Sequence, residues 1–206
     1  MRSMKKTRVS KIKQYFYAGK VQARILDAVF TAPDVQYSLT GLAAAAGVSK
    51  STASRAVHGL LEEGVVELLD LGVVWRVKAN ATSAQYKGRK IVRNLSVICQ
   101  SGIVDAINKA FGQPRAIVLY GSFRKGEDGI GSDVDIAVEA DSVGQTSEIW
   151  LGEMLEGDGK EGLAALEETL RRKFMVTLFD RENVDVNLFN GIANGIVLSG
   201  FLEVKK

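Results

Sequence analysis

The chain of 206 residues has one histidine, one cysteine and two prolines, and each scarcity excludes a class of site or fold. With His58 as the only histidine, we expect neither a His-based catalytic triad nor a His-rich metal site. Cys99 has no second cysteine to pair with, so an intrachain disulfide is excluded. A reducing, cytoplasmic location is therefore expected. The low proline count, with 46% hydrophobic residues, favours well-packed folded domains.

Long apolar runs are also lacking. No run approaches the roughly 20 residues that a membrane-spanning helix needs, so no membrane partner is expected. No apolar stretch follows the basic start of the sequence, so a secretory signal is not expected either. A chain of 206 residues accommodates two domains comfortably.

The net charge of +3 conceals an uneven distribution of charge along the chain. Residues 1–100 carry 16 Lys and Arg against 6 Asp and Glu, whereas residues 101–206 carry 11 against 18. This asymmetry predicts a first half that faces nucleic acid and a second half that does not. Part of the positive excess lies in a basic leader over residues 1–18.

The first half has the pattern of two short helices joined by a sharp turn. An apolar stripe at helical spacing predicts a preceding helix from Val21 to Val29, closed by Pro33. An alanine-rich helix then meets a turn at Gly47, and Ser49 can cap the helix that follows it. The outward residues of that second helix are the candidate DNA contacts, because a helix entering the major groove needs polar groups there: Lys50, Ser51, Thr52 and Arg55.

After these helices, Val65–Leu69 and Val73–Val77 predict a hairpin. The whole order, over residues 19–80, resembles the winged helix-turn-helix of archaeal and bacterial transcriptional regulators. The resemblance implies that the second helix reads bases in double-stranded DNA and that the hairpin wing touches the backbone. The alternative is an alanine-rich helical hairpin used for protein contacts. We expect Trp75 to pack in the core and His58 to lie on the surface.

A linker helix is predicted over residues 81–101. Ala84 to Gln100 places Ile91, Leu95 and Ile98 on one side, and this stripe could form the seam of a homodimer. The basic residues of the same segment could extend the DNA footprint or simply be solvated.

The second half contains a spaced pair of short polar motifs. An apolar strand from Ala116 ends at Gly121-Ser122, and after ten intervening residues Asp133 and Asp135 lie two apart in a second strand. Strand geometry puts both carboxylates on one face, about 7 Å apart, where they repel each other unless a cation lies between them. Mg²⁺ (or Mn²⁺), bound by these carboxylates and by substrate phosphates, fits that role. The alternative is an ordinary solvated strand edge.

This order resembles the nucleotidyltransferase superfamily typified by DNA polymerase beta, and most closely its minimal nucleotidyltransferases. The resemblance covers residues 102–206 and includes Gly126 and Ser132 in the spacer. It implies that Gly121 and Ser122 hold the phosphates of a nucleoside triphosphate, while Asp133 and Asp135 ligate the metal and are catalytic. The two resemblances together predict an α+β chain. Its N-terminal domain is a winged helix-turn-helix, and its C-terminal domain is α/β and nucleotidyltransferase-like, with a small mixed sheet.

The third carboxylate that such enzymes carry on a later strand is missing or displaced. A helix through Leu163–Leu170 followed by a strand at Phe174–Phe179 puts Met175 at that position. Asp185 is the late candidate for the catalytic base. It lies either in a strand over residues 184–188 or in the first turn of a closing helix that runs through Leu198.

Three functions therefore stay open. The first is a DNA-binding transcriptional regulator whose second domain binds Mg–nucleoside triphosphate with weak catalysis. The alternative is an active nucleotidyltransferase that moves a nucleoside monophosphate onto a protein or small-molecule hydroxyl. The third is a regulator whose second domain is an inactive scaffold for dimerisation.

Overall fold

The computed structural model describes residues 21–70, 75–140 and 144–204, apart from the side chain of Asp70. The predicted basic leader 1–18 and the turn of the wing at residues 71–74 lie outside the described residues. The chain divides into two compact units. The first runs as far as Arg93 and also includes Gly126–Ile130, and the second contains Asn94–Lys125 and the chain from Gly131 onward.

The first unit has the predicted helical hairpin and a small antiparallel sheet in the order β1-β3-β2. Its elements are α1 (Val21–Thr31), β1 (Tyr37–Ser38), α2 (Leu39–Ala46), α3 (Lys50–Glu62), β2 (Val66–Asp70) and β3 (Trp75–Ala79). The fully buried side chains at its centre include Ile25, Phe30, Leu42 and Leu60. The short strand β1, which the sequence pattern did not predict, adds a third strand beside the wing hairpin.

The turn between α2 and α3 forms as predicted. Gly47 ends α2 in the left-handed region at φ 60°, a conformation that glycine adopts at little cost. Ser49 then caps α3, since its side chain accepts a hydrogen bond from the backbone N–H of Thr52 at 3.2 Å. This cap fixes where α3 begins.

Helix α4 (Ala84–Gln100) confirms the predicted linker helix, but its faces are used differently from what was expected. Ile98 is fully buried, and Ile91 packs so close to Gly126 that a Cβ added there would lie 3.2 Å from its Cγ1. The stripe that was expected to offer a dimer seam therefore packs within the chain.

The basic residues of α4 are also not a free DNA-binding surface. Lys90 and Arg93 are each only 1% exposed, and Arg93 contacts Asp27 at 2.7 Å. On the exposed side, Lys87 pairs with Glu127 and Arg89 pairs with Glu63. Most of the positive charge that the sequence suggested for this helix is thus neutralised by acidic partners.

Lys90 of α4 binds the segment of residues 126–130 through Asp128. Its ammonium lies 3.2 Å from Oδ1 of Asp128 and also donates to the backbone carbonyl of Asp128. The side chains of this pair are 1% and 0% exposed. Two charges removed from water this completely need partners of opposite charge, and each of these faces the other. The middle of the spacer between Gly121-Ser122 and Asp133 is therefore held by α4.

The second unit is built on a five-stranded sheet in the order β6-β7-β5-β4-β8. Besides the end of α4 it contains α5 (Ile103–Ala110), β4 (Ala116–Tyr120), α6 (Gly121–Lys125), β5 (Val134–Glu139), β6 (Ser147–Trp150), α7 (Leu151–Met154), α8 (Gly157–Leu170), β7 (Phe174–Phe179), α9 (Val186–Ala193) and β8 (Ile196–Gly200). Strands β5 and β7 are parallel, and the other neighbours are antiparallel. The sheet is therefore mixed, as predicted.

The residues of β5 alternate between the two faces of this sheet. Val134, Ile136 and Val138 are fully buried, as the sequence pattern predicted. On the opposite face, Ala137 belongs to a second buried cluster that includes Ile192 of α9. Because strand residues alternate between faces, Asp135 lies on the same face as Ala137.

Two details at the end of the chain differ from expectation. The closing helix does not run through Leu198, since α9 ends at Ala193 and β8 follows at Ile196. Strand β8 pairs with β4 on the side opposite β5, so it borders the strand that leads to Gly121. Among the described helices, none is long and apolar enough to cross a membrane.

We predict that Asp128→Ala destabilises the protein by about 3–5 kcal/mol, because it leaves the buried ammonium of Lys90 without this carboxylate. Replacing both charges in Lys90→Met/Asp128→Leu should recover most of that loss. The measurement is the free energy of unfolding in urea. Lys87→Ala, which removes a pair that is exposed, is the control and should cost about 0–1 kcal/mol. An equal loss in all three variants would contradict this account of the pair.

Candidate functional site

The candidate site forms where β4 and β5 run antiparallel. Tyr120, the last residue of β4, pairs with Asp135. The chain then turns at Gly121, which has φ 71°. A Cβ added at Gly121 would overlap the carboxylate of Asp135, so the turn needs glycine both for its conformation and for its contact. The Gly121-Ser122 turn therefore lies beside the acidic strand, as the motif spacing predicted.

Asp133 and Asp135 are both partly buried, with Asp133 just before β5 and Asp135 within it. Among the described residues, no ion pair involves either carboxylate. Burial raises the pKa of Asp135 above its ordinary value, and the negative charges of Asp133 and Glu148 raise it further. The site thus concentrates negative charge that no ion pair balances within the described residues.

This donor set fits a hard divalent cation. Carboxylate oxygens with uncompensated charge are what Mg²⁺ and Mn²⁺ prefer, and Mg²⁺ commonly uses one or two carboxylates together with substrate phosphates. In the described part of the chain, no group of three His, Cys, Asp or Glu side chains could hold a metal ion. Asp133 and Asp135 would therefore need phosphate oxygens or water to complete the coordination.

The position on neighbouring strand β7 where the third carboxylate was expected carries a methionine. Met175 of β7 pairs directly with Asp135 in the parallel register, the arrangement that aligning helix to helix and strand to strand predicted. Its side chain is partly buried. A methionine offers neither a metal-binding oxygen nor a group that accepts a proton at neutral pH.

The carboxylate of Asp185 accepts hydrogen bonds from the backbone in this structure. It is the N-cap of α9, and its Oδ1 accepts hydrogen bonds from the backbone N–H groups of Asn187 at 2.9 Å and Leu188 at 3.1 Å. The interpretation of residues 184–188 as a strand is therefore wrong, and the interpretation as the first turn of a helix is confirmed. A catalytic role for Asp185 stays a prediction with no support from this geometry.

Glu148 is a site residue that the sequence reasoning missed. It pairs with Thr177 of β7, and Thr177 pairs with Ala137 of β5, so Glu148 shares a sheet face with Asp135. Its negative charge contributes to the raised pKa values of both Asp135 and Tyr120. The available sequence signal was weak, because β6 has only four residues and lies at the edge of the sheet.

Tyr120 and Thr177 close the space between these acids. The Tyr120 hydroxyl and Thr177 Oγ1 are 2.7 Å apart across β5. Burial is the largest cause that raises the pKa of Tyr120, with the charges of Asp135 and Glu148 adding to it, whereas the bond with Thr177 acts in the opposite direction. Tyr120 therefore stays a neutral hydroxyl at physiological pH.

A cleft of about 340 Å³ includes Asp133 in its lining. It is lined by the turn at Gly131 and Ser132 and by the end of α8, including Glu167, Arg171 and Lys173. Gly121, Ser122 and Asp135 do not line it. Its basic and acidic groups are mixed, as in the Lys173–Glu167 pair at 2.7 Å.

The candidate DNA contacts lie at the start of α3. Lys50, Ser51 and Arg55 are exposed, whereas Thr52 is partly buried and its hydroxyl accepts a 2.7 Å hydrogen bond from Ser49. His58 is exposed, as expected. The expectation that Trp75 packs in the core was wrong, since its side chain is 55% exposed. Trp75 is the first residue of β3 and pairs with Asp70, the last residue of β2.

Comparison with family models identifies both halves of the chain. Residues 23–70 match the IclR helix-turn-helix domain, and residues 101–182 match the nucleotidyltransferase domain. Comparison with curated proteins and with solved structures finds no match. The chain thus contains an N-terminal helix-turn-helix domain and a C-terminal nucleotidyltransferase domain. The second match includes Glu148 and Met175 but ends before Asp185.

We predict that Asp135→Asn stabilises the metal-free protein at neutral pH. A carboxyl whose folded pKa is raised contributes stability that is present below its unfolded pKa and is lost as the pH rises through the folded pKa. The asparagine variant does not suffer this loss. Its melting temperature should exceed that of the wild type at pH 7, and the gap should close below about pH 4.

The control for this measurement is Glu161→Gln, which removes an exposed charge on α8. It should change the melting temperature little at either pH. A melting temperature for Asp135→Asn below that of the wild type at pH 7 would contradict the raised pKa inferred for Asp135.

Proposed function

We propose that this chain is a DNA-binding transcriptional regulator whose nucleotidyltransferase domain binds a nucleoside triphosphate with Mg²⁺ or Mn²⁺. The helix-turn-helix domain supports a partner of double-stranded DNA, and the nucleotidyltransferase domain supports a nucleotide partner. The protein would then work where DNA and nucleotides are both available, in the cytoplasm.

The observation that carries the nucleotide part of this proposal is the contact between Gly121 and Asp135. Gly121-Ser122 offers backbone N–H groups and a hydroxyl at the point where the acidic pair gathers negative charge. Triphosphate and carboxylates repel each other in that arrangement, so both can occupy the site only when a divalent cation lies between them.

In this proposal each residue has one task. Gly121 and Ser122 would hold phosphate oxygens, and Asp133 and Asp135 would ligate the metal, which on binding neutralises charge that develops on the phosphates. The fit rests on the oxygen donors present and on the absence of a cationic partner for Asp133 and Asp135 within the described residues.

Transfer of the nucleotidyl group is the alternative activity, and Met175 determines how fast we expect it to be. Because the strand next to Asp135 carries no carboxylate, the proposed domain binds nucleotide well and transfers it slowly, onto a hydroxyl of a protein or a small molecule. Dimerisation remains a separate prediction, and size-exclusion chromatography with light scattering would test it.

We predict that Asp133→Asn/Asp135→Asn abolishes Mg²⁺-dependent binding of nucleoside triphosphate while the fold is kept. Isothermal titration calorimetry with each of the four ribonucleoside triphosphates is the measurement. Asp185→Asn is the control, because asparagine caps a helix about as well as aspartate and the change removes one carboxylate outside the Gly121–Asp135 junction. The control should bind nucleotide like the wild type. Unchanged affinity in the double variant would eliminate the metal site.

We predict that the full chain binds duplex DNA with an affinity that falls steeply with salt, because binding neutralises phosphates. Arg55→Ala should weaken a preferred sequence, found by selection from random duplexes, by about 1–3 kcal/mol more than random DNA if Arg55 contacts a base edge. Fluorescence anisotropy measures both affinities. Lys109→Ala, an exposed charge on α5, should leave them unchanged. Equal losses on both duplexes would reassign Arg55 to a phosphate contact.

A further inference from the structure

The spacer between the Gly121-Ser122 turn and Asp133 leaves the second unit of the chain and returns to it. Its centre, Gly126–Ile130, belongs to the first unit. On one side, helix α6, which contains Ser122, leads into this centre, and on the other side two residues separate the centre from Asp133. A connection this short has little slack, because one residue spans at most about 3.6 Å. A displacement of the proposed nucleotide site therefore reaches residues 126–130.

Helix α4 holds residues 126–130, which we call the clamped segment, through three neighbouring residues. Asp128 forms the buried ion pair with Lys90, and Glu127 pairs with Lys87 at 2.9 Å. Gly126 lies so close to the backbone carbonyl of Lys87 that a Cβ would be 3.0 Å from its oxygen. Separating the two buried charges costs far more than moving them together with α4. The clamped segment and α4 are therefore expected to move as one.

The same helix contacts the helix that is proposed to enter DNA. Arg89 of α4 pairs at 2.5 Å with Glu63, the C-cap residue of α3. Arg89 directly precedes Lys90 in the sequence, so a shift of α4 that follows the clamped segment also displaces Arg89. The candidate DNA contacts begin at Lys50, the first residue of α3. An α-helix transmits a displacement along its length, because its backbone is hydrogen-bonded from turn to turn.

A second connection runs through α1. Arg93 of α4 contacts Asp27 of α1 at 2.7 Å, and the Arg93 side chain is buried. Arg24, which also lies on α1, donates a 2.7 Å hydrogen bond to the backbone carbonyl of Gly47 in the turn before α3. The position of α4 is thus linked to both ends of α3, through Glu63 at one end and through the Gly47 turn at the other.

We propose that the nucleotide site is an effector site, so that Mg²⁺ and nucleoside triphosphate bound there change the affinity for DNA through the clamped segment and α4. Without a cation between them, Asp133 and Asp135 repel each other, and a divalent cation removes that repulsion and holds phosphate at the Gly121-Ser122 turn. Both ends of the spacer then take a second arrangement, which the clamped segment passes to α4. This inference rests on the nucleotide binding proposed above.

Such coupling is reciprocal. If nucleotide changes the affinity for DNA by a given factor, DNA changes the affinity for nucleotide by the same factor. We expect a factor of about 5 to 150, the usual range for coupled sites. An effector site needs no transfer chemistry, which agrees with Met175 at the position beside Asp135 where a third carboxylate was expected.

The coupling factor is measured in the full chain in both directions. Fluorescence anisotropy gives the Kd for a preferred duplex with Mg²⁺ alone and with Mg²⁺ plus each of the four ribonucleoside triphosphates. Calorimetry gives the Kd for each triphosphate with the free and with the DNA-bound protein. Asp133→Asn/Asp135→Asn controls for effects of nucleotide in solution, and added triphosphate should leave the DNA affinity of this variant unchanged.

Slack in the spacer should remove the coupling. Two glycines inserted between Ile130 and Gly131 lengthen an exposed turn between the clamped segment and Asp133, and they leave the contacts with α4 in place. We expect both ligands still to bind and the coupling factor to fall toward one. The same insertion between Glu156 and Gly157, which are both exposed, is the matched control and should keep the wild-type factor.

Glu63→Gln tests the link to α3 without a change in the spacer, so it decides the question if the insertion weakens nucleotide binding. The substitution removes the ion pair with Arg89 and should lower the coupling factor about twofold or more. Glu203→Gln is its control, because it removes an ion pair with Arg181 that does not involve α3 or α4. This control should keep the wild-type factor.

A coupling factor of one in the wild type, with both ligands bound, would overturn the inference and leave the proposed function standing. So would a wild-type factor that survives both the insertion after Ile130 and Glu63→Gln. Absence of Mg²⁺-dependent nucleotide binding, or of DNA binding, in the wild type would instead overturn the proposed function itself.

Discussion

The antiparallel pairing of β4 with β5 is the constraint on which the candidate site depends. It sets Tyr120 opposite Asp135, so the turn that follows Tyr120 must pass the carboxylate of Asp135. Glycine is required at Gly121 because any side chain would occupy the space of that carboxylate. A single register thus brings the turn proposed to bind phosphate and an acid proposed to bind metal together, and a slip of one residue would turn Asp135 to the face that carries Val134 and Ile136.

The spacer between these two motifs is held by a different kind of interaction. Its centre, Gly126–Ile130, belongs to the first unit, where Asp128 faces Lys90 in a fully buried ion pair. Gly126, at φ 68°, lies against the backbone carbonyl of Lys87, where a Cβ would be 3.0 Å from the oxygen. The ten residues between Ser122 and Asp133 are therefore not a free loop, since their middle packs against α4.

Much of this structure could be predicted from sequence, because the predictive patterns were local. Capping by Ser49, the turn at Gly47 and the alternation of Val134, Ile136 and Val138 each depend on neighbours within a few residues. The correspondence of Met175 with Asp135 also followed from aligning helix to helix and strand to strand.

The missed features depend on partners distant in the chain. Lys90 and Arg93 were expected to contact DNA or solvent because Asp128 and Asp27, which neutralise them, are 38 and 66 residues away. Glu148 had only a weak local signal, since its place on the Asp135 face comes from pairing with β7. Strand β8 was taken for the end of a helix because a short apolar run has no period that separates the two.

The central claim is that one metal–nucleotide site is centred on Asp133, Asp135 and the Gly121-Ser122 turn. A crystal structure with Mn²⁺ and a non-hydrolysable nucleoside triphosphate tests it most directly, because anomalous scattering locates the metal independently of the model. The account predicts a manganese peak within bonding distance of both aspartates and phosphate oxygens over Gly121 and Ser122. A nucleotide bound instead in the cleft beside Arg171 and Lys173, with no metal at Asp135, would contradict it.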